Sequence, residues 1–117
     1  MRDLDNRAAY SQIDVSDYLR FLRQFPEECR RAWEKGLAFP IPESYRGLSR
    51  VVIAGMGASA VGGDLAHDLA AQEGGGHILV HRDYGLPPLM DRRTLFIASS
   101  YSGETEETLS AFEEALK

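Results

Sequence analysis

The sequence predicts an α/β fold: a partial doubly wound (flavodoxin-like) parallel sheet of about three strands, with flanking helices and an N-terminal helical segment. Two observations predict it. The runs "VVIAG" (51–55), "HILVHR" (77–82) and "TLFIASS" (94–100) are apolar and rich in branched residues without alternation, as strands buried on both faces are. A glycine- or serine-rich turn follows the first and the third, and each turn runs into a stretch with helical spacing.

The first 47 residues read as a helical segment and linker, and residues 48–117 as the sheet-forming part. In residues 14–37, Leu19, Leu22, Phe25, Cys29, Trp33 and Leu37 recur at three- and four-residue steps among Arg, Glu and Gln, the stripe of a helix packing on something larger. Asp14 or Ser16 is a candidate cap for its start. Pro26 predicts a division into two short helices, with Pro26 in the first turn of the second and Gly36 near its end. "FPIPESYRG" cannot continue a helix and reads as an extended linker.

After the first strand, "MGASAVGGDLAHDLAAQ" is a glycine turn leading into a helix of small residues, and "EGGG" leads to the second strand. "DYGLPPLMDRR" is a proline-bearing passage to the third strand, and "GETEETLSAFEEALK" closes the pattern as a helix with Leu109, Phe112 and Leu116 expected inward. The third strand is expected to leave a free apolar edge, which predicts a homo-oligomer.

Composition excludes several classes. The chain has 117 residues, 44% hydrophobic and 26% charged, the balance of a single globular domain. A formal charge of −5 argues against a nucleic-acid partner, which usually demands a basic face. No apolar run approaches the roughly 20 residues that span a bilayer, and the polar opening "MRDLDNRAAYSQ" is no signal peptide. With Cys29 alone there is no internal disulfide, and a cytoplasmic location is expected. His67, His77 and His81 have no metal-ligand spacing with Cys29, so no metal is expected.

Open α/β sheets bind ligands at the carboxyl ends of their strands, where helix N-termini present unpaired N–H groups. "GMGAS" (55–59) and "SSYSGET" (99–105) both stand at such ends. In the commonest strand orders the first and third strands are neighbours, which would set the two loops across one crevice. Ser100, Ser102 and Thr105 exceed what a single helix cap requires, and glycines in the first loop let backbone approach closely. Such a cradle suits a monoester phosphate without a lysine. Glu104, Glu106 and Glu107 suit the helix dipole but would repel a phosphate unless they point away. The competing reading is a dinucleotide site, because 55–60 satisfies G-x-G-x-x-A after a strand. Against it, Asp83 comes later than the usual ribose-binding acid, although Arg82 would suit a 2′-phosphate, and the hydroxyl-rich third loop has no place in that scheme. A Walker A loop is excluded, since no Gly-Lys-Ser/Thr occurs.

"GMGASAVGGD" and "SSYSGETEETL", in order and with "HRDYGLP" between them, resemble the sugar isomerase (SIS) domain, specifically the first SIS domain of bifunctional phosphoglucose/phosphomannose isomerases. "FPEECRRAWEKG" is similar to that family's lead-in helices, so the resemblance covers most of the chain. It implies an aldose–ketose isomerase interconverting glucose 6-phosphate or mannose 6-phosphate with fructose 6-phosphate, without metal, nucleotide or other cofactor. It also implies that Gly57, Ala58 and Ser59 line the hexose 6-phosphate from the first loop, while Ser100, Ser102 and Thr105 hold its phosphate from the second. Ala58 stands where those isomerases often have glycine and Glu104 where they often have asparagine, and Gly-Glu-Thr is similar to the motif of glucosamine-6-phosphate synthase. Isomerisation through an enediol needs a base near C1 and C2. The family's glutamate and histidine for this lie downstream, so no catalytic residue is assigned here. The resemblance therefore implies that the sequence is the first half of a SIS domain within a longer protein, inactive as an isomerase alone. The alternative function is a SIS-type sugar-phosphate sensor without catalysis.

Overall fold

The computed structural model describes residues 6–117, and the chain divides into two units, Met1–Ile41 and Pro42–Lys117. The first unit holds a short 3-10 turn, helix α1 (Tyr10–Ile13) and helix α2 (Tyr18–Ala38). The carboxylate of Asp14 starts α2: one oxygen accepts the Tyr18 N–H at 2.7 Å and the other the Leu19 N–H at 2.8 Å, satisfying two donors that no helical carbonyl can reach. The expected break at Pro26 does not occur. Pro26 lies inside one continuous helix, which passes Gly36 as well and ends at Ala38. A proline removes one ladder bond and strains the turn before it, and the 21-residue α2 keeps its remaining bonds around that gap. The apolar stripe of α2 forms as the spacing predicts, and Leu22, Phe25, Trp33 and Leu37 on it are exposed.

In the second unit a 3-10 turn at Glu43–Tyr45 interrupts the extended linker, and three strands follow: β1 (Arg50–Ala54), β2 (His77–His81) and β3 (Thr94–Ala98). They form one parallel sheet in the order β2-β1-β3. Helix α3 (Ala58–Gln72) joins β1 to β2, and helix α4 (Glu106–Ala115) follows β3. The α/β class and the three parallel strands agree with the expectation from sequence, and each strand ends within two residues of its expected limit because turn residues close each apolar run.

Side chains alternate across the sheet, so Ile53 and Val80, paired in register, share one face, and Val52 and Ala54 share the other. α3 lies on the Ile53 face: a Cβ added at Gly63 would meet Val80 Cγ2 at 3.1 Å and Ile53 Cγ2 at 3.2 Å. On the other face Val52 and Ala54 are 0% and 1% exposed, and α4 packs against β3 and β1. The residues by which α4 enters the core differ from those expected. Thr108 and Ala111 are buried, whereas Leu109, Phe112 and Leu116 are 41%, 43% and 72% exposed. Small side chains on the sheet-facing line let α4 lie close to the strands, which leaves the larger ones on its flanks.

Among the described residues, β1 is the strand of this sheet with neighbours on both sides, and only its side chains reach full burial. Among the described residues β2 and β3 each have one neighbouring strand. On β3, Leu95 and Phe96 are half-buried, while Ile97 and Ala98 are exposed. None of the helices among the described residues is long and apolar enough to cross a membrane.

Candidate functional site: two loops at the carboxyl ends of β1 and β3

Because β2 follows β1 on one side and β3 lies on the other, the chain reverses its direction of travel across the sheet at β1, and the crevice of such a sheet opens there. The register pairs Ala54 with Ala98, so Gly55 and Ser99 leave the sheet side by side. Gly55 N–H donates to the His81 carbonyl at 3.1 Å and Ser99 N–H to the Ala54 carbonyl at 2.7 Å, so the ladder holds both loops at their roots.

The first loop turns on its glycines. A Cβ at Gly55 would stand 2.8 Å from the Ser99 carbonyl oxygen, closer than Cβ atoms come to any backbone atom. Gly57 has φ 51° and ψ −129°, the first central position of a II′-like turn, closed by Ser59 N–H donating to the Met56 carbonyl at 3.1 Å. That turn sets Ala58 as the first residue of α3, with Gly57 and Ala58 exposed and Ser59 half-buried.

Hydrogen bonds between the loops fix their separation. Ser99 Oγ donates to the Ser59 carbonyl at 2.9 Å, and Tyr101 N–H donates to Ser59 Oγ over a longer 3.4 Å. Motif and spacing do not single out Ser99. Its signal lies in the alignment of the two strands, which sets a hydroxyl residue opposite a glycine.

The second loop brings the three expected hydroxyls together. Ser100 Oγ lies 3.1 Å from Thr105 Oγ1, and Ser102 Oγ lies 3.5 Å from each of them. Gly103 N–H donates to Ser100 Oγ at 3.0 Å and Glu104 N–H to Ser102 Oγ at 3.2 Å. A hydroxyl oxygen that accepts a backbone N–H keeps its own hydrogen to donate. The loop thus turns its backbone donors into hydroxyl donors at the N-terminus of α4, where Thr105 is the cap residue and the helix dipole is positive. Such an arrangement can hold an oxyanion by several neutral O–H donors at once.

The carboxylates around this cluster are arranged unequally. Glu104 is exposed and spends its N–H on Ser102. Glu106, the first residue of α4, accepts a hydrogen bond from the Tyr84 hydroxyl at 3.1 Å, a contact 22 residues apart in sequence. That bond, with the nearby charge of Glu107, raises the Tyr84 phenol above its usual 10.0. The residues that a dinucleotide site would use are engaged elsewhere: Arg82 pairs with Asp64 of α3, and Asp83 Oδ1 accepts the Tyr84 N–H at 2.8 Å. Among the described residues no group of three or more His, Cys, Asp and Glu side chains is placed to hold a metal ion.

Fold and loops together define a class, the open parallel α/β domains with paired loops at a switch point. Within that class, the chain is 43% identical over 90 residues to a protein of Caldicellulosiruptor bescii named bifunctional phosphoglucose/phosphomannose isomerase, a match covering 77% of this chain and 26% of that protein. Proteins of the same name from Thermoplasma acidophilum and Thermoplasma volcanium are 48% and 44% identical over 70 and 68 residues, covering 60% and 58% of this chain and 22% and 21% of theirs. The chain therefore spans about a quarter of the length of the curated relatives it matches. No family model matches it, and no solved structure does.

Proposed function

We propose that the chain is the sugar-phosphate-binding part of an aldose–ketose isomerase that interconverts glucose 6-phosphate or mannose 6-phosphate with fructose 6-phosphate, and that residues 48–117 belong to a SIS domain. The observation that carries this reading is the convergence of Ser100, Ser102 and Thr105 at the start of α4, across from the Gly57–Ser59 turn. The names and identities of the relatives support it. In this reading the hydroxyls of Ser100, Ser102 and Thr105 take the phosphate, and the turn of Gly57, Ala58 and Ser59 lines the adjoining part of the hexose. Ser59 suits that role because its oxygen accepts the Tyr101 N–H and leaves its hydrogen to donate.

Binding at these loops orients the sugar, while the enediol step needs a base placed near C2. Glu104 stands at the phosphate end, so it is not assigned that task, and no residue of this chain is. The reading includes a cytoplasmic location and a homo-oligomer. Titration calorimetry of fructose 6-phosphate into the protein tests the cradle. Ser102→Ala removes one donor to a charged group and should weaken binding by about 1–3 kcal/mol. Equal affinity in the variant and the parent would sink the assignment.

A further inference from the structure

Residues 82–85 form a strap from the end of β2 to α4, and it is anchored at both ends. At the β2 end, Arg82 pairs with Asp64 of α3, and His81 Nε2 lies 2.9 Å from the Gly85 carbonyl. At the helix end, Gly85 N–H donates to Ser110 Oγ at 3.2 Å. Tyr84 sits between these anchors. The residue is 55% exposed, so burial alone does not fix the ring, and its hydroxyl reaches Glu106.

Glu106 follows the cap residue Thr105, whose Oγ1 belongs to the hydroxyl cluster. An ionised carboxylate in the first turn stabilises an empty helix N-terminus and opposes an anion arriving there. A free glutamate at this position could also swing towards the donors that the phosphate would use. The hydrogen bond from Tyr84 removes that freedom and draws part of the carboxylate's charge onto the phenol O–H. We propose that Tyr84 is a positioning residue for the anion cradle: through its hydroxyl it holds the Glu106 carboxylate away from Ser100, Ser102 and Thr105, so that a phosphate can bind. This inference rests on the phosphate-cradle reading above. The raised phenol pKa fits it, because an ionised acceptor keeps the phenol protonated as the donor.

A double-mutant cycle tests it, with calorimetric affinities for fructose 6-phosphate and for inorganic phosphate measured on the parent, Tyr84→Phe, Glu106→Gln and the double variant. Tyr84→Phe should weaken both ligands about threefold, the scale of one surface carboxylate at a helix N-terminus. In the Glu106→Gln background the same change should have no effect, since the charge it restrains is gone. Equal losses in both backgrounds would overturn the inference and make Tyr84 a structural residue. An unaltered Tyr84→Phe affinity would overturn it as well, with the cradle left standing. A parent that binds neither ligand would defeat the cradle reading itself, and this inference with it. Phenolate absorbance supplies a readout independent of any ligand: Glu106→Gln should bring the Tyr84 titration down towards 10.0, and an unmoved titration would overturn the Tyr84–Glu106 link.

Discussion

The loops that lead into α3 and α4 stand side by side at the same end of the sheet, yet they are built from different chemistry. The α3 loop turns through Gly55 and Gly57, where the shape of the backbone decides and no acid occupies the first turn of the helix. The α4 loop runs through Ser99–Thr105, where hydroxyls take up the backbone donors and Glu106 and Glu107 fill the first turn. The difference separates two tasks. The glycine loop lets the two backbones approach, and the hydroxyl loop supplies donors in the space that this approach creates. A glycine loop should therefore fail through sterics and strain, with stability lost first. A hydroxyl loop should fail through lost affinity while the fold persists.

The largest expected effect is at Gly55. Its absent side chain lies 2.8 Å from the Ser99 carbonyl, and that carbonyl cannot retreat easily while Ser99 N–H is bonded to Ala54 at 2.7 Å and Ser99 Oγ to Ser59 at 2.9 Å. Gly55→Ala should cost about 1–3 kcal/mol, the range for overpacking a tight site, and, on the proposed reading of the cradle, should abolish binding of fructose 6-phosphate by parting the loops. Urea denaturation read beside calorimetry checks both halves. An alanine variant of parental stability would show that the loops have slack, and the contrast between glycine loop and hydroxyl loop would weaken.

Gly57 breaks a different rule. Nothing lies within 4 Å of its missing Cβ, so alanine would fit in space but not in conformation at φ 51°. The expected cost of Gly57→Ala is about 1–3 kcal/mol, the penalty of a sparsely populated backbone region, φ 51° with ψ −129°, for a residue that carries a Cβ. Gly62, within α3, is also open but has no positive φ, so Gly62→Ala should stabilise by about 0.5–1 kcal/mol through helix propensity. Opposite signs for these two alanines, measured by thermal unfolding, would isolate backbone strain from crowding. Two losses of the same size would remove strain as the explanation.

The glycine loop and the hydroxyl loop are also legible in the sequence to different depths. Strands and loops can be placed because apolar runs closed by glycine or serine have few other meanings, and the gathering of Ser100, Ser102 and Thr105 follows from three hydroxyls within six residues of one loop. The pairing of Ser99 with Gly55 depends on register between β1 and β3, which no local pattern encodes. The pairing of Tyr84 carries no local signal, because its partner Glu106 is 22 residues away. The inward face of α4 differs from expectation because Leu and Phe at helical spacing outweigh Thr108 and Ala111 on any hydrophobic scale. Close packing of a helix on a sheet selects for small side chains, which those scales rank low. Pro26 reads as a break because propensity in isolation favours one, and α2 runs through it.

The smallest expected effect separates the two serines that join the loops. Ser99 Oγ donates over 2.9 Å in a half-buried setting, so Ser99→Ala should cost about 1 kcal/mol of stability, the net worth of a typical hydrogen bond. Ser59 Oγ only accepts, from the exposed Tyr101 N–H over 3.4 Å, a length at which a hydrogen bond is already weak and water can replace it. Ser59→Ala should therefore leave stability within about 0.5 kcal/mol of the parent. If the Ser59 hydroxyl also donates to the hexose, the same variant should lose affinity for fructose 6-phosphate more than for inorganic phosphate, which has no sugar to contact. Ser99→Ala should lower both affinities alike, because it loosens the loops without removing a donor to either ligand. Equal affinities of Ser59→Ala and the parent for both ligands would remove Ser59 from the site. The α3 loop would then contribute shape alone, and every donating side chain would belong to the loop before α4.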